Sequence, residues 1–135
     1  MGTLRKTAFV YMVVLLAVAT LNYIPGLTDA EGRAFGIFAL DVYDDALHVA
    51  SGLWAGISAA LSSRASRTFL FFFGLLYLLD GLLGLATGSG FLDLGIVNHG
   101  VVDMPLTFKI LANLPHVAGG ALALFISRRF AHEAR

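Results

Sequence analysis

The sequence predicts an all-α fold, an integral membrane bundle of four helices with the N and C termini in the cytoplasm. Two observations lead to this prediction: long apolar stretches fill most of the 135 residues, and basic clusters alternate with acidic segments between them. Each stretch approaches the roughly 20 residues that a helix needs to cross a hydrocarbon layer of about 30 Å. The stretches are Ala8 to Ile24, Ala46 to Leu61, Phe69 to Ala86 and Leu106 to Ile126.

The charges beside these stretches indicate the orientation. Basic residues precede the first stretch, separate the second from the third and follow the fourth: Arg5, Lys6, Arg64, Arg67, Arg128 and Arg129. The other two connections are rich in acids: Asp29, Glu31, Asp41, Asp44 and Asp45 in the first, Asp93 and Asp103 in the second. Because short cytoplasmic segments carry the excess of basic residues, both termini and the middle connection are predicted to be cytoplasmic.

Composition limits the possible functions. Charged residues are 13% of the chain and apolar residues 58%, a balance that does not suit a soluble domain of this size. The net charge of zero argues against nucleic acid as a partner. The absence of cysteine excludes disulfides, thiolate metal sites and cysteine nucleophiles. The length fits one transmembrane domain, residues 1–135, without a separate soluble domain.

The first stretch has a competing interpretation as a secretory signal peptide. A basic pair, an apolar run and the small residues Ala17-Val18-Ala19 have the layout of such a peptide and its cleavage site. The apolar run continues past Ala19 to Ile24, however. This continuation favours a helix that is retained in the mature protein.

A short internal repeat divides the stretches into two helical hairpins, about 7–63 and 67–127, with a cytoplasmic tail at 128–135. Residues 47–53 (Leu-His-Val-Ala-Ser-Gly-Leu) resemble residues 115–121 (Pro-His-Val-Ala-Gly-Gly-Ala). Two hairpins inserted in the same orientation would be related by a pseudo-twofold axis along the membrane normal. Chance similarity stays open as an alternative, because membrane helices use few residue types.

The two acidic connections are too apolar to be free coils. Residues 34–40 and 91–97 are mostly apolar and carry glycines, so we expect them to lie at the membrane interface or to fold back over the bundle. Pro105 is predicted to open the last helix. Pro115, inside that helix, is predicted to bend it.

Ionisable and amide side chains within the apolar stretches form a candidate intramembrane site. By helix rise, Asp80 and His116 lie about 20 and 18 Å from the cytoplasmic edge, and His48 and Asn22 about 24 Å. A solitary carboxylate at that depth costs about 2.5–3.5 kcal/mol, so Asp80 is predicted to have a partner, with His116 the first choice. The candidate residues are Asp80, His116, His48, Asn22, Asn113 and Asp45. The alternative is a hydrogen-bond network that only links the helices.

Metal or haem binding is a further hypothesis for the two histidines. His48 and His116 on facing helices could ligate haem iron, or a metal ion together with Asp45 and Asp80. Their estimated depths differ by about one helical turn, and no haem motif accompanies them, so no cofactor is predicted. The sequence contains no HExxH motif, no phosphate-binding glycine loop and no nucleophile beside a base, so catalysis is not predicted either.

One segment resembles a known family. Residues 41–52, Asp-Val-Tyr-Asp-Asp-Ala-Leu-His-Val-Ala-Ser-Gly, are similar to the Asp…Leu-His-x-x-x-Gly signature of the small four-helix bacterial membrane proteins of domain of unknown function 4383. The run Tyr-Ile-Pro-Gly-Leu at 23–27 resembles the end of that family's first helix. The second half departs from the pattern at residues 113–116. The resemblance implies four transmembrane helices and supplies no activity.

These observations favour a non-enzymatic accessory or interaction subunit of the bacterial inner membrane. Its expected surroundings are the lipid bilayer and, as partners, other membrane proteins or a second copy of the chain. The first alternative is a small carrier or proton-linked channel that uses the intramembrane Asp and His residues. The second is a membrane protein that binds haem or a metal ion.

Overall fold

A computed structural model describes residues 1–135, and its all-α architecture confirms the predicted class. Two 3-10 turns, Leu21–Tyr23 and Ala131–Ala134, follow the first and last helices. The connection between the first two helices contains only isolated β-bridges. The helices are α1 (Thr3–Val18), α2 (Val42–Leu61), α3 (Ser63–Thr87), the short α4 (Gly95–His99) and α5 (Leu106–Arg129).

Three helical segments are long and apolar enough to cross a membrane: Thr3–Tyr23, Ser63–Thr87 and Leu106–Arg129. Four crossings were predicted, and α2 is not among these three segments. It has 20 residues, which is enough to span a bilayer, but Asp44, Asp45 and His48 reduce its apolar character. The predicted membrane character is therefore supported by three helices.

Local polar groups set the helix ends, and they differ from the limits of the apolar stretches. α1 ends at Val18 and a 3-10 turn follows, so the helix stops before Ile24. α2 begins earlier than Ala46, because Asp41 and Asp44 form a capping box in which each side chain accepts a hydrogen bond from the backbone of the other. A side chain that accepts hydrogen bonds from the N–H groups of the first turn can start a helix whether or not the adjacent residues are apolar.

The turn between α2 and α3 is a single residue, Ser62. Its extended backbone (φ −170°, ψ 167°) ends α2, and its hydroxyl accepts a hydrogen bond from the N–H of Ala65 in α3. The Ser66 hydroxyl donates back to the carbonyl oxygens of Ser58 (3.1 Å) and Ser62 (3.0 Å). This short turn keeps α2 and α3 antiparallel at the end of the molecule that carries the basic clusters, here called the basic end.

Two arginines at the basic end bind the last carbonyl groups of helices. The Arg5 Nε donates to the Ala59 carbonyl of α2 (2.7 Å), and the Arg67 Nε donates to the Ser127 carbonyl of α5 (3.1 Å). These carbonyls have no partner within their own helix, and a cation there also favours the negative end of the helix dipole. The basic residues beside the helices therefore also terminate them.

The helices pack as two close pairs, α1 with α2 and α3 with α5, and α3 also contacts α1 and α2. An aromatic column runs along α3 through the interior of the basic half. Its rings are Phe69, Phe73 and Tyr77, with centroids 5.0 and 3.9 Å apart. Tyr11 of α1 packs edge-on against Phe73 at 5.2 Å and donates to the Gly119 carbonyl of α5 at 2.6 Å. The column thus joins α3 to both neighbouring pairs.

The α3–α5 contact depends on two glycines where the helix backbones nearly touch. A Cβ atom on Gly120 would lie 2.5 Å from the backbone nitrogen of Leu78, and one on Gly74 would lie 2.6 Å from that of Leu124. Small residues are the usual means of close helix packing in membranes. Because the opposing atoms belong to a helix backbone, they cannot move aside as a side chain would.

We expect Gly120→Ala to lower the thermal unfolding temperature, since the added methyl group would separate α5 from α3 at a cost of about 1–3 kcal/mol. Gly119→Ala is the matched control: the neighbouring glycine has no atom within 4 Å of an added Cβ. Alanine favours a helix by about 1 kcal/mol over glycine, so the control should be unchanged or more stable. Equal unfolding temperatures for the two variants in detergent would contradict the close approach.

The two chain termini meet at the basic end. The Glu133 carboxylate accepts hydrogen bonds from the backbone N–H groups of Thr3 (3.1 Å) and Leu4 (3.0 Å). These N–H groups belong to the first turn of α1 and have no partner within the helix. The hydrogen bonds from Leu4 and Thr3 hold the pKa of the Glu133 carboxyl below its usual range. The C-terminal turn therefore caps the N-terminal helix.

This cap predicts a pH dependence of stability. The pKa of Glu133 is lower in the folded protein than in the unfolded chain. The cap therefore adds to the free energy of unfolding above the ordinary glutamate pKa of about 4.3, and this stabilisation is lost as the pH falls through the folded-state pKa. We expect Glu133→Gln to reduce the fall in unfolding temperature between pH 7 and pH 3. Glu31→Gln, at an exposed glutamate in the α1–α2 connection, is the control and should keep the full fall. An unchanged pH profile in Glu133→Gln would argue against the cap.

Candidate functional site

Asp80 is the centre of the candidate site. It lies on α3, about two turns before the end of the helix at Thr87, and is only 3% exposed. Its Oδ1 accepts hydrogen bonds from the backbone N–H groups of Phe91 (2.8 Å) and Leu92 (2.9 Å). Its Oδ2 lies 2.5 Å from the Nδ1 of His116 on α5. The contact between Asp80 and His116 that the depth estimates predicted is therefore present.

The chain after α3 folds back toward the middle of the bundle to reach Asp80. Gly88 turns the chain with a φ of +78°, a conformation that glycine adopts without strain. Gly90 then passes so close to the carboxylate that a Cβ atom would lie 2.5 Å from Oδ1. Irregular backbone at membrane depth is tolerated where the protein satisfies its polar groups, and Asp80 does this for two N–H groups. The α3–α5 connection is folded over the bundle, one of the two arrangements predicted for it.

His116 connects Asp80 to side chains on the other helices. Its ring centroid lies 4.8 Å from that of Tyr77 and 6.2 Å from that of His48 on α2. His48 is 5% exposed, and its Nδ1 is buried without a hydrogen-bond partner. The hydroxyl oxygens of Tyr77 and Ser51 lie 3.0 Å apart. These five side chains, Asp80, His116, His48, Tyr77 and Ser51, form what we call the polar cluster, which links α2, α3 and α5.

Asp44 lies on the side of the polar cluster away from the basic end, here called the acidic end. It is in the first turn of α2, before the apolar stretch begins at Ala46, and is buried. Its Oδ2 accepts a hydrogen bond from the backbone N–H of Asp41 (3.1 Å), and its own backbone N–H donates to the Asp41 Oδ1 (3.0 Å). These two hydrogen bonds fix the start of α2 at the acidic end.

Three of the predicted site residues bond elsewhere. The Asn22 amide donates to the Leu40 carbonyl, within the α1–α2 connection. The Asn113 amide donates to a carbonyl one turn earlier in α5 (2.8 Å). The Asp45 carboxylate accepts from the Tyr23 hydroxyl (2.8 Å). Of the six predicted residues, the structure thus brings together Asp80, His116 and His48.

The position of Asn22 outside the polar cluster has a simple physical cause. Its depth was calculated for a helix that continues to Ile24, but α1 ends at Val18 and Asn22 falls in the following 3-10 turn.

Two members of the polar cluster, Ser51 and Tyr77, were not predicted, although the sequence contains a signal for them. Ser51 follows His48 by three residues and Tyr77 precedes Asp80 by three, a spacing that places each pair on one face of its helix. The sequence contains no signal for the hydrogen bonds from Phe91 and Leu92 to Asp80, because their donors are backbone N–H groups.

The histidines do not form part of a larger ligand set. No group of three or more His, Asp or Glu side chains in residues 1–135 is arranged so that it could hold a metal ion. Because the His116 Nδ1 faces Asp80, that ring has only its Nε2 left for a ligand. A structural zinc ion takes four protein ligands, and the polar cluster supplies fewer.

A comparison with family models finds a match to Domain of unknown function (DUF4383) over residues 5–104. This range covers well over half of the chain. The protein belongs to the DUF4383 family. The resemblance noted at residues 41–52 is thereby confirmed. Within this DUF4383 protein the match includes His48 and Asp80, and it ends before α5, which carries His116. No curated protein and no solved structure matches the chain.

We expect Asp80→Ala to release the segment that Asp80 anchors. Backbone amide hydrogen exchange at Phe91 and Leu92, measured by NMR, should accelerate. The unfolding temperature should fall, because a buried N–H group without a partner costs about 1–3 kcal/mol. Protection of these two amides equal to that in the unmodified protein would contradict the anchoring role.

Asp80→Asn is the matched control for this experiment. The asparagine keeps one acceptor oxygen for the Phe91 and Leu92 N–H groups, and its amide can donate to a neutral His116 imidazole. We therefore expect near-normal exchange and a small stability change, since such links in membrane proteins average about 0.6 kcal/mol. A loss of stability as large as that of Asp80→Ala would instead identify an ionised pair, in which the imidazolium is left without its counter-charge.

Proposed function

We propose that this protein is a non-catalytic accessory subunit of the bacterial inner membrane that crosses the bilayer four times and acts by contact with other membrane proteins. The observation that carries the proposal is the apolar filling between the polar cluster and the basic end. The aromatic column occupies this part of the interior, and both Phe69 and Leu70 are fully buried. A carrier must expose its site alternately to both sides of the membrane, and this filling separates the cluster from one of them.

The bonding within the cluster also supports a structural role. The Asp80 carboxylate uses both oxygens in hydrogen bonds to His116, Phe91 and Leu92. Interhelical hydrogen bonds of this kind stabilise membrane bundles. The cluster therefore acts as a link between the α1–α2 pair, the α3–α5 pair and the α3–α5 connection. The apolar outer surface remains available for lipid and for partner helices.

The fourth crossing is assigned to α2, and two observations support it. Its polar residues face inward, since Asp44, His48 and Ser51 are buried, whereas Leu53 and Ile57 are more than half exposed. An apolar outer face with inward polar groups suits a helix that contacts lipid. In addition, the contact of Glu133 with the start of α1 supports termini on the same side of the membrane, as an even number of crossings would give.

The orientation and the repeat belong to the same proposal. The basic end carries both termini and the α2–α3 turn, so the positive-inside rule assigns it to the cytoplasm. His48 and His116 lie in the second helix of their respective pairs and meet in the polar cluster, as two copies of one hairpin would allow. A reporter enzyme fused after Arg135 should be active in the cytoplasm, and activity only in the periplasm would overturn this orientation.

One observation favours the rival function, a proton-linked channel or carrier. The buried Nδ1 of His48 lacks a hydrogen-bond partner, and it lies beside His116, so a proton could pass along the pair. Binding of haem or a metal ion by His48 and His116 is a further alternative. A Soret absorption band in the purified protein would support the haem version, and a colourless preparation would oppose it.

Proteoliposomes that contain a pH-sensitive dye distinguish the accessory subunit from the channel. We expect proton flux no greater than in protein-free vesicles, for the unmodified protein and for Asp80→Asn alike. Proton flux that is lost in Asp80→Asn would establish the channel instead. The control is Asp103→Asn, at an exposed acid in the α3–α5 connection, which should leave such a flux intact.

Crosslinking in native membranes followed by mass spectrometry should identify a membrane protein bound in fixed stoichiometry. Recovery of the uncomplexed chain alone would contradict the accessory role.

A further inference from the structure

Two adjoining cavities at the basic end form a continuous groove. One, of about 440 Å³, lies between α2 and α3, and the other, of about 370 Å³, lies between the α2–α3 turn and the C-terminal turn. Both are lined by Ser62 and Arg64. We call the two cavities together the basic-end groove. Because they share these two residues, the two cavities adjoin.

Cationic side chains outnumber acidic ones in the charged part of the groove. Arg64 and Arg135 line it, and neither forms an ion pair, since the only pair within 4 Å in the structure is between His116 and Asp80. Glu133 is the one acidic side chain in the lining, and its carboxylate binds the N–H groups at the start of α1 and forms no ion pair with either guanidinium group. The two guanidinium groups and the Ser62 hydroxyl are therefore suited to a phosphate group.

The other part of the groove has an apolar wall of partly exposed side chains. Trp54, Ile57 and Leu61 line it along one face of α2. Trp54 is 38% exposed, and its ring packs edge-on against Phe69 with centroids 5.0 Å apart. Tryptophan is enriched at the level of the lipid headgroups, where one end of the ring is apolar and the other is wet. The groove thus continues from an apolar wall to a cationic end.

We propose that the basic-end groove binds one anionic phospholipid of the cytoplasmic leaflet, with its phosphate at Arg64 and Arg135 and an acyl chain along Trp54, Ile57 and Leu61. Charge complementarity selects this occupant, because basic pockets between transmembrane helices on the cytoplasmic side suit anionic headgroups. The apolar wall adds the chain contact that a soluble phosphate could not make. This binding is independent of the accessory role proposed above.

The chain contains a single tryptophan, Trp54, which makes the groove directly observable. The protein is reconstituted in phosphatidylcholine bilayers that contain an increasing fraction of either brominated phosphatidylglycerol or brominated phosphatidylcholine. Bromine on an acyl chain quenches tryptophan fluorescence on contact. We expect quenching by the anionic lipid at a several-fold lower fraction, since each basic residue near the surface contributes about fivefold to the preference.

Matched variants separate a specific site from general attraction. The double change Arg64→Gln and Arg135→Gln should make the two brominated lipids equivalent. Arg128→Gln with Arg129→Gln removes the same charge at the same end, outside the groove lining, and should keep the preference. Continued quenching by brominated phosphatidylcholine, together with an unchanged circular dichroism spectrum, establishes that each variant is folded and that Trp54 faces lipid.

Four results would overturn the proposal. Equal quenching of the unmodified protein by both lipids would show that the groove does not select charge. Equal loss of preference in the two double variants would show attraction by the whole basic end. If neither brominated lipid quenches the Trp54 fluorescence, a second copy of the chain or another protein covers this residue. Relief of quenching by millimolar inorganic phosphate, at constant ionic strength, would assign the arginines to a soluble anion.

Discussion

The Asp80 carboxylate is the interaction on which the arrangement of the acidic half of the molecule depends. It joins α3 to His116 of α5 and to the backbone of the connection between them. An ionisable group at this depth is costly unless the protein surrounds it with donors, and a backbone segment without helical hydrogen bonds is costly for the same reason. The carboxylate accepts the hydrogen bonds that the backbone N–H groups need, and these N–H groups are the donors that the carboxylate needs. The segment can therefore lie within the bundle, where it covers the polar cluster.

The two halves of the bundle are stabilised by different means. In the basic half, the aromatic column and the glycine contacts between α3 and α5 provide dense packing, which is the main source of helix association in lipid. In the acidic half, hydrogen bonds of the polar cluster connect the helices. Such groups can hold the bundle without a path for ions, because Phe73 and the rings around it separate the cluster from the basic end. This separation is the observation that supports the proposed accessory role over a carrier.

Prediction from the sequence succeeded where one dominant force decides the outcome. The all-α class and the approximate positions of the long helices follow from apolar length, and the Asp80–His116 contact follows from two depth estimates along regular helices. Prediction was less accurate where competing local hydrogen bonds decide. α1 stops at Val18 in favour of a 3-10 turn, so Asn22 leaves the site, and the capping box at Asp41 extends α2 beyond its apolar stretch. Ser51 and Tyr77 could have been found from their three-residue spacing to His48 and Asp80.

The sequence by itself determined the all-α class, the membrane character and the division into a basic and an acidic end. Hydrophobicity and charge act residue by residue, so their pattern can be read along the chain. Only the tertiary structure decided that Phe91 and Leu92 reach back to Asp80, that Glu133 caps α1, and that Arg64 and Arg135 line one groove with Trp54. These contacts join residues far apart in the chain, and several use backbone atoms that every residue possesses. Their positions therefore depend on how the helices pack rather than on any local pattern of residue types.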